Sequence, residues 1–86
     1  MYKLGFSRKF DKELRKLVRG DVKLKSKIKK QLELLINNPK HGSLRIHKLS
    51  GDENYSLSVT MSLRIIFKIK GKLILSSRIG SHDQVY

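Results

Sequence analysis

Two histidines and two arginines, His47, Arg64, Arg78 and His82, with Tyr86 four residues beyond the last, are the side chains here that could work on a phosphodiester. RNA cleavage by attack of a 2′-hydroxyl on its own phosphate needs three things. These are a base for the hydroxyl, donors for the charge that builds on the phosphate oxygens, and an acid for the departing 5′-oxygen. Imidazole titrates near neutrality and suits both proton transfers. Guanidinium stays charged and offers a planar fork of donors to phosphate. His47 and His82 are therefore the candidate base and acid. Arg64 and Arg78 are candidate charge stabilisers, and Tyr86 is a stacking or hydrogen-bonding group. Arg45, Lys48 and Lys68 are candidate RNA contacts, with Asp83 and Ser58 as candidate orienting groups. Each has a plainer reading: the arginines as solvent-facing strand residues, Asp83 as the cap of a terminal turn. His41 reads as loop.

The bulk composition points the same way. Twenty Lys and Arg against seven Asp and Glu give a formal charge of +13 on 86 residues. Such a field draws polyanions by releasing their condensed counterions. The chain has no cysteine, and its acidic residues are few, with only Asp52 and Glu53 adjacent. A two-metal nuclease thus lacks its carboxylates, and three scattered histidines make no convincing zinc site. No phosphate-cradling glycine loop and no Gly-x-Ser-x-Gly elbow is present. The expectation is chemistry with no metal and no cofactor. Neither a signal peptide nor a membrane-spanning run stands out, so a soluble cytoplasmic protein is expected.

These groups need a scaffold, and its elements are legible as one domain over 1–86. Tyr2 to Phe6 reads as a first strand. Ser7 is a plausible cap for a helix carrying Phe10, Leu14, Leu17 and Val18 at helical spacing. Gly20 closes it and Asp21 caps a second helix, whose stripe is Leu24, Ile28, Leu32, Leu35 and Ile36. Asn37-Asn38-Pro39 ends that helix. Its lysines, from Lys23 to Lys30, read as a solvated face that attracts phosphate generally. Alternation then takes over: Tyr55, Leu57, Val59 and Met61 against Ser56, Ser58, Thr60 and Ser62, then a strand from Arg64 to Lys70, then one from Leu73 to Ile79 that breaks at Gly80. The fold class is α+β, an N-terminal strand and helical hairpin on a small twisted antiparallel sheet. An odd-numbered last turn, Ile69-Lys70-Gly71, would bury Ile65, Phe67, Ile69, Leu73 and Leu75 together. It would also leave Ser56, Ser58, Arg64 and Arg78 on one open polar face.

The run Arg64 to Ile69, the end Arg78-Ile79-Gly80-Ser81-His82-Asp83-Gln84-Val85-Tyr86 and the stretch Ile46-His47-Lys48-Leu49-Ser50-Gly51 together resemble the RelE/ParE toxin superfamily, its YafQ-like branch above all. The resemblance covers essentially the whole chain. It implies a ribosome-dependent mRNA endonuclease that inhibits translation, held silent in a heteromeric complex by a cognate acidic antitoxin, with ribosome-bound mRNA as the other partner and no membrane. It also implies that His47 and His82 match the branch's catalytic histidines, Arg64 and Arg78 its phosphate-facing arginines, and Tyr86 its terminal aromatic. Ser58 and Ser62 stand where that branch carries a further histidine and an acidic residue, so the resemblance leaves the general base open, with His47 as the candidate. Two other functions compete: a ParE-like inhibitor of DNA gyrase, and a basic nucleic-acid-binding module without catalysis.

Overall fold

The computed structural model describes residues 1–49 and 53–85, less the side chain of His82. The element order is β1 (Lys3–Phe6), α1 (Arg8–Val18), α2 (Val22–Asn37), a 3₁₀ turn (Gly42–Leu44), β2 (His47–Lys48), β3 (Asn54–Ser58), β4 (Leu63–Lys70), β5 (Leu73–Ser81) and the single-turn α3 (His82–Val85). Both helix starts follow from their caps. Ser7 Oγ accepts from the Phe10 N–H and the Asp21 carboxylate from the Leu24 N–H, each at 3.0 Å. Each supplies a partner to a backbone donor that the first turn leaves unmatched. Gly20, at φ +72°, makes the left-handed turn between the helices.

The strands form one five-stranded sheet in the order β1-β5-β4-β3-β2. β2 to β5 pair antiparallel, as the alternation predicts, but β1 joins β5 in parallel, so the sheet is mixed. Phe10, Ile28, Leu32 and Leu35 of the helices pack on Leu57, Ile65, Phe67, Ile74 and Ile79 of one sheet face, with Leu44 and Val59 closing the end. That single apolar layer between helices and sheet is the core. Among the described residues no helix is long and apolar enough to cross a membrane.

Four local expectations are corrected. The last hairpin does not turn through an odd loop: Lys70 pairs with Leu73 across a two-residue turn, Gly71-Lys72, with Gly71 at φ +59°. That register sends Ile74 and Ser76 into the core and puts Leu73 and Leu75 on the opposite face, because one step exchanges the two faces of a strand. Leu73 is accordingly exposed, and Ile69, although it pairs with Ile74 on the core face, is exposed near the hairpin tip. A bulge then intervenes: Phe67 pairs with Ser76 but Ile66 with Arg78, leaving Ser77 as the extra residue. It turns Ile79 back into the core. The third correction concerns β3, which stops at Ser58. The continuing alternation is a turn in which Thr60 Oγ1 accepts from the Ser62 and Leu63 N–H groups, and Met61 is fully outside. Lastly, β5 does not break at Gly80 but runs through Ser81 into α3.

Candidate nucleic-acid interface

Strand register brings the candidate residues to the sheet face away from α1 and α2. One cross-strand row reads His47, Ser56, Ile66, Arg78 from β2 to β5, and the next reads Ser58, Arg64, Gly80. Arg64 and Arg78 are thus diagonal neighbours, about 7–8 Å apart at Cα. They share a face, as expected, but the mid-strand bulge brings this about and not the turn. His47 lies three strand spacings from Arg78, roughly 14 Å at about 4.8 Å each.

Side chains separate what the backbone brings near. Arg64 Nη1 donates to Ser58 Oγ at 2.9 Å, and its guanidinium lines a cleft of about 710 Å³ at the end of the sheet. Lys23, Lys27 and Lys30 of α2 and Arg45 line the same cleft, and among the described residues no acidic group lines it. Arg78 turns the other way. Its Nε and Nη2 donate to Glu13 Oε2 at 3.2 and 2.9 Å, and Nη2 also to the Gln84 carbonyl at 3.0 Å. It lines a second, smaller hollow with Glu13, Lys16 and Leu17. The two guanidinium groups do not converge over one patch. The cause is Glu13, a carboxylate on α1 beside β5 that the helical periodicity gave no reason to notice.

The open hydroxyl face is also corrected. Ser56 is fully buried and Ser58 nearly so. Ser56 is a short side chain between His47 and Ile66 in its row, and Ser58 is covered by the arginine it binds. Ser56 Oγ has no hydrogen-bond partner among the described residues.

Of the remaining candidates, Arg45 is exposed in the left-handed region, φ 48°, at the end of the 3₁₀ turn, and faces the cleft. Lys68 lies on the same sheet face as Arg64, pairing with Asn54 and Leu75. Lys48 pairs with Tyr55, whose ring stacks on Phe67, so it belongs to the helix-covered side of the edge strand. His47, its neighbour, is exposed on the opposite side, in the row of Ser56. His82 and Asp83 open α3, which begins two residues past Gly80, the partner of Arg64. Tyr86 and the Ser50-Gly51 part of the resemblance lie outside the described residues.

Three contributors were not visible in the sequence. Gln31, buried on α2, donates through Nε2 to the Ser58 carbonyl at 2.8 Å and so ties β3 to the cleft wall. A polar residue within an otherwise apolar helix stripe was the available signal. The α2 lysines expected only as a general attractant are partly a cleft wall. His41, read as loop, accepts the Ser43 N–H through Nδ1 at 3.2 Å and caps the turn that carries Arg45. Among the described residues no three His, Cys, Asp or Glu side chains stand close enough to share a metal ion.

The family model for the ParE toxin of type II toxin–antitoxin systems (parDE) matches residues 4–86. The chain belongs to that family. The toxin is therefore a RelE/ParE-superfamily member, and solved structures agree. It superposes on the Escherichia coli DinJ–YafQ complex with TM-score 0.81 at 27% identity, covering 100% of this chain and 99% of that one. A metal-bound toxin from Helicobacter pylori gives 0.84 at 25%, covering all of both chains. A YoeB/ParE toxin from Agrobacterium tumefaciens, at 19% identity, TM-score 0.80 and 93% and 98% coverage, shares the fold. None of the curated proteins matches this toxin in sequence.

Proposed function

We propose that this toxin is a ribosome-dependent mRNA endonuclease. The observation that carries the reading is the cleft lined by Arg64, Arg45 and three lysines, with no acidic residue among its described lining groups. Such a concentration of cations has a polyanion as its natural occupant. Arg64, braced on Ser58, then holds the scissile phosphate and meets the charge of the transition state. His47 takes the proton of the 2′-hydroxyl, whose oxygen attacks the neighbouring phosphorus. The P–O5′ bond breaks, His82 gives the leaving oxygen its proton, and the products are a 2′,3′-cyclic phosphate and a 5′-hydroxyl. Tyr86 stacks on a base, Asp83 orients His82, and Arg45 and Lys68 hold the backbone on either side. Arg78 is engaged by Glu13, so phosphate stabilisation falls chiefly to Arg64. Lys48, on the other side of the edge strand, serves at most as an outer phosphate contact.

The partner that keeps the toxin silent is an acidic antitoxin, as the pairing of DinJ with YafQ suggests. An apolar groove lined by Leu4, Phe6, Leu14, Val18, Leu32 and Ile36, with Lys25, Lys29 and one carboxylate, Glu33, also lining it, suits an amphipathic segment.

A second reading, inhibition of DNA gyrase without strand scission, is favoured by the ParE family model and by the separation of Arg64 from Arg78. One reaction separates the two. With purified ribosomes, an mRNA and the toxin, primer extension should reveal cuts in ribosome-bound message that vanish in Arg64→Ala and His82→Ala, both still folded by circular dichroism. Intact message together with stalled gyrase supercoiling would replace the first reading with the second.

A further inference from the structure

β1 accompanies β5 only as far as the Phe6–Ser76 pair, so beyond that point no strand among the described residues lies along the outer edge of β5. Its polar groups must find other partners. Ser7 Oγ donates to the Ser77 carbonyl at 2.8 Å, and Glu13 Oε1 accepts from the Ile79 N–H at 3.1 Å. The other Glu13 oxygen holds Arg78, Arg78 holds the Gln84 carbonyl, and Gln84 Oε1 accepts from the Ser81 N–H at 3.0 Å. The ion pair is mostly shielded, with side-chain exposures of 30% for Arg78 and 22% for Glu13. It therefore differs from the exposed Asp11–Arg15 pair on the same helix. The Gly80 position is equally tight: a Cβ there would come within 2.8 Å of Gln84 Oε1 and 3.2 Å of Val85 Cγ1.

We propose that Glu13 is a positioning residue, which through Arg78 and Gln84 fixes the terminal turn against the end of β5 and so sets the place of residue 82 beside the strand of Arg64. Arg78 is then the fastener of that turn and not a phosphate ligand. The catalytic consequence rests on the endonuclease reading; the mechanical one does not. The carboxylate is suited to the task because it serves two donors at once, the charged fork of a side chain and a strand N–H, and charge-assisted bonds of this kind are stronger than neutral ones. The turn has only four residues and cannot hold itself in place as an isolated helix.

The test combines amide exchange by NMR with single-turnover cleavage on programmed ribosomes for Glu13→Ala, Glu13→Gln and Gln84→Ala. In Glu13→Ala the Ile79 and Ser81 amides should exchange about tenfold faster or more, with α2 amides unchanged. Glu13→Gln keeps an oxygen for Ile79 but gives Arg78 a neutral partner in place of the carboxylate, so only Ser81 should loosen. Gln84→Ala should release Ser81 alone. Cleavage in all three should fall in kcat by about tenfold or more while KM stays at the wild-type value, since the Arg64 cleft is untouched. Wild-type Ser81 exchange in Glu13→Ala would overturn the proposal, as would equal changes in kcat and KM. A wild-type toxin that cuts nothing would sink the endonuclease reading, with the exchange arm still deciding the role of Glu13.

Discussion

If the cleft around Arg64 binds single-stranded RNA, its salt dependence can be calculated from its walls. Lys23, Lys27, Lys30, Arg45 and Arg64 supply five cations. At about −0.7 per neutralised phosphate on a single strand, five contacts give a slope of log K against log salt of about −3.5. Raising KCl from about 50 to about 200 mM should therefore weaken binding roughly 100-fold. Changing Lys23, Lys27 and Lys30 together to alanine should flatten the slope to about −1.4. The decisive control lowers the formal charge of +13 by the same three units elsewhere. Lys9, Lys12 and Arg19 are exposed on or just beyond α1 and line none of this cleft. Their replacement by alanine should leave the slope at about −3.5, the wild-type value. Fluorescence anisotropy of a labelled RNA oligonucleotide across a KCl series measures all three. Equal flattening in both triple variants would refute the argument, because the whole-molecule field, and not the cleft, would then be what RNA senses.

Two stability predictions follow from individual bonds. Gln31→Met keeps the bulk of the side chain but strands the buried Ser58 carbonyl, which should cost about 1–3 kcal/mol, with Tm falling by about 4–8 °C per kcal/mol in thermal denaturation. A smaller change than about 0.5 kcal/mol would mean the Gln31 bond is immaterial. Ser7→Ala removes both the cap of α1 and the bond to the Ser77 carbonyl, so urea unfolding should show a loss of about 1–2 kcal/mol at unchanged m-value.

Much of the scaffold could be read from local rules. Ser7 and Asp21 cap helices because their oxygens reach N–H groups three residues on, a relation confined to one turn. The stripe through Ile28, Leu32 and Leu35 faces the core because helical periodicity alone brings those positions to one side. Where the reading went astray, the missing quantity was non-local. The odd-turn register buried Leu73 and Leu75 in place of Ile74, since apolar alternation in that strand supports either face. The bulge at Ser77 leaves no mark that a period of two would register. Hydroxyl alternation through Thr60 and Ser62 likewise looked like strand, although Thr60 Oγ1 closes a turn instead.

The candidate site divides along the same line. The amino-acid order was enough to supply the toxin-like ensemble of cations and imidazoles, the α+β scaffold and the net charge on which the proposal of a polyanionic partner rests, because these depend on composition and short-range spacing. It could not say where each guanidinium points. Arg64 and Arg78 lie on neighbouring strands of one face, yet one reaches Ser58 and a cleft whose charged lining groups, among the described residues, are cations, while the other is drawn to Glu13, 65 positions earlier in the chain. Long flexible side chains take their direction from the partners that folding brings within reach, and those partners exist only once helix, sheet and terminal turn have been assembled.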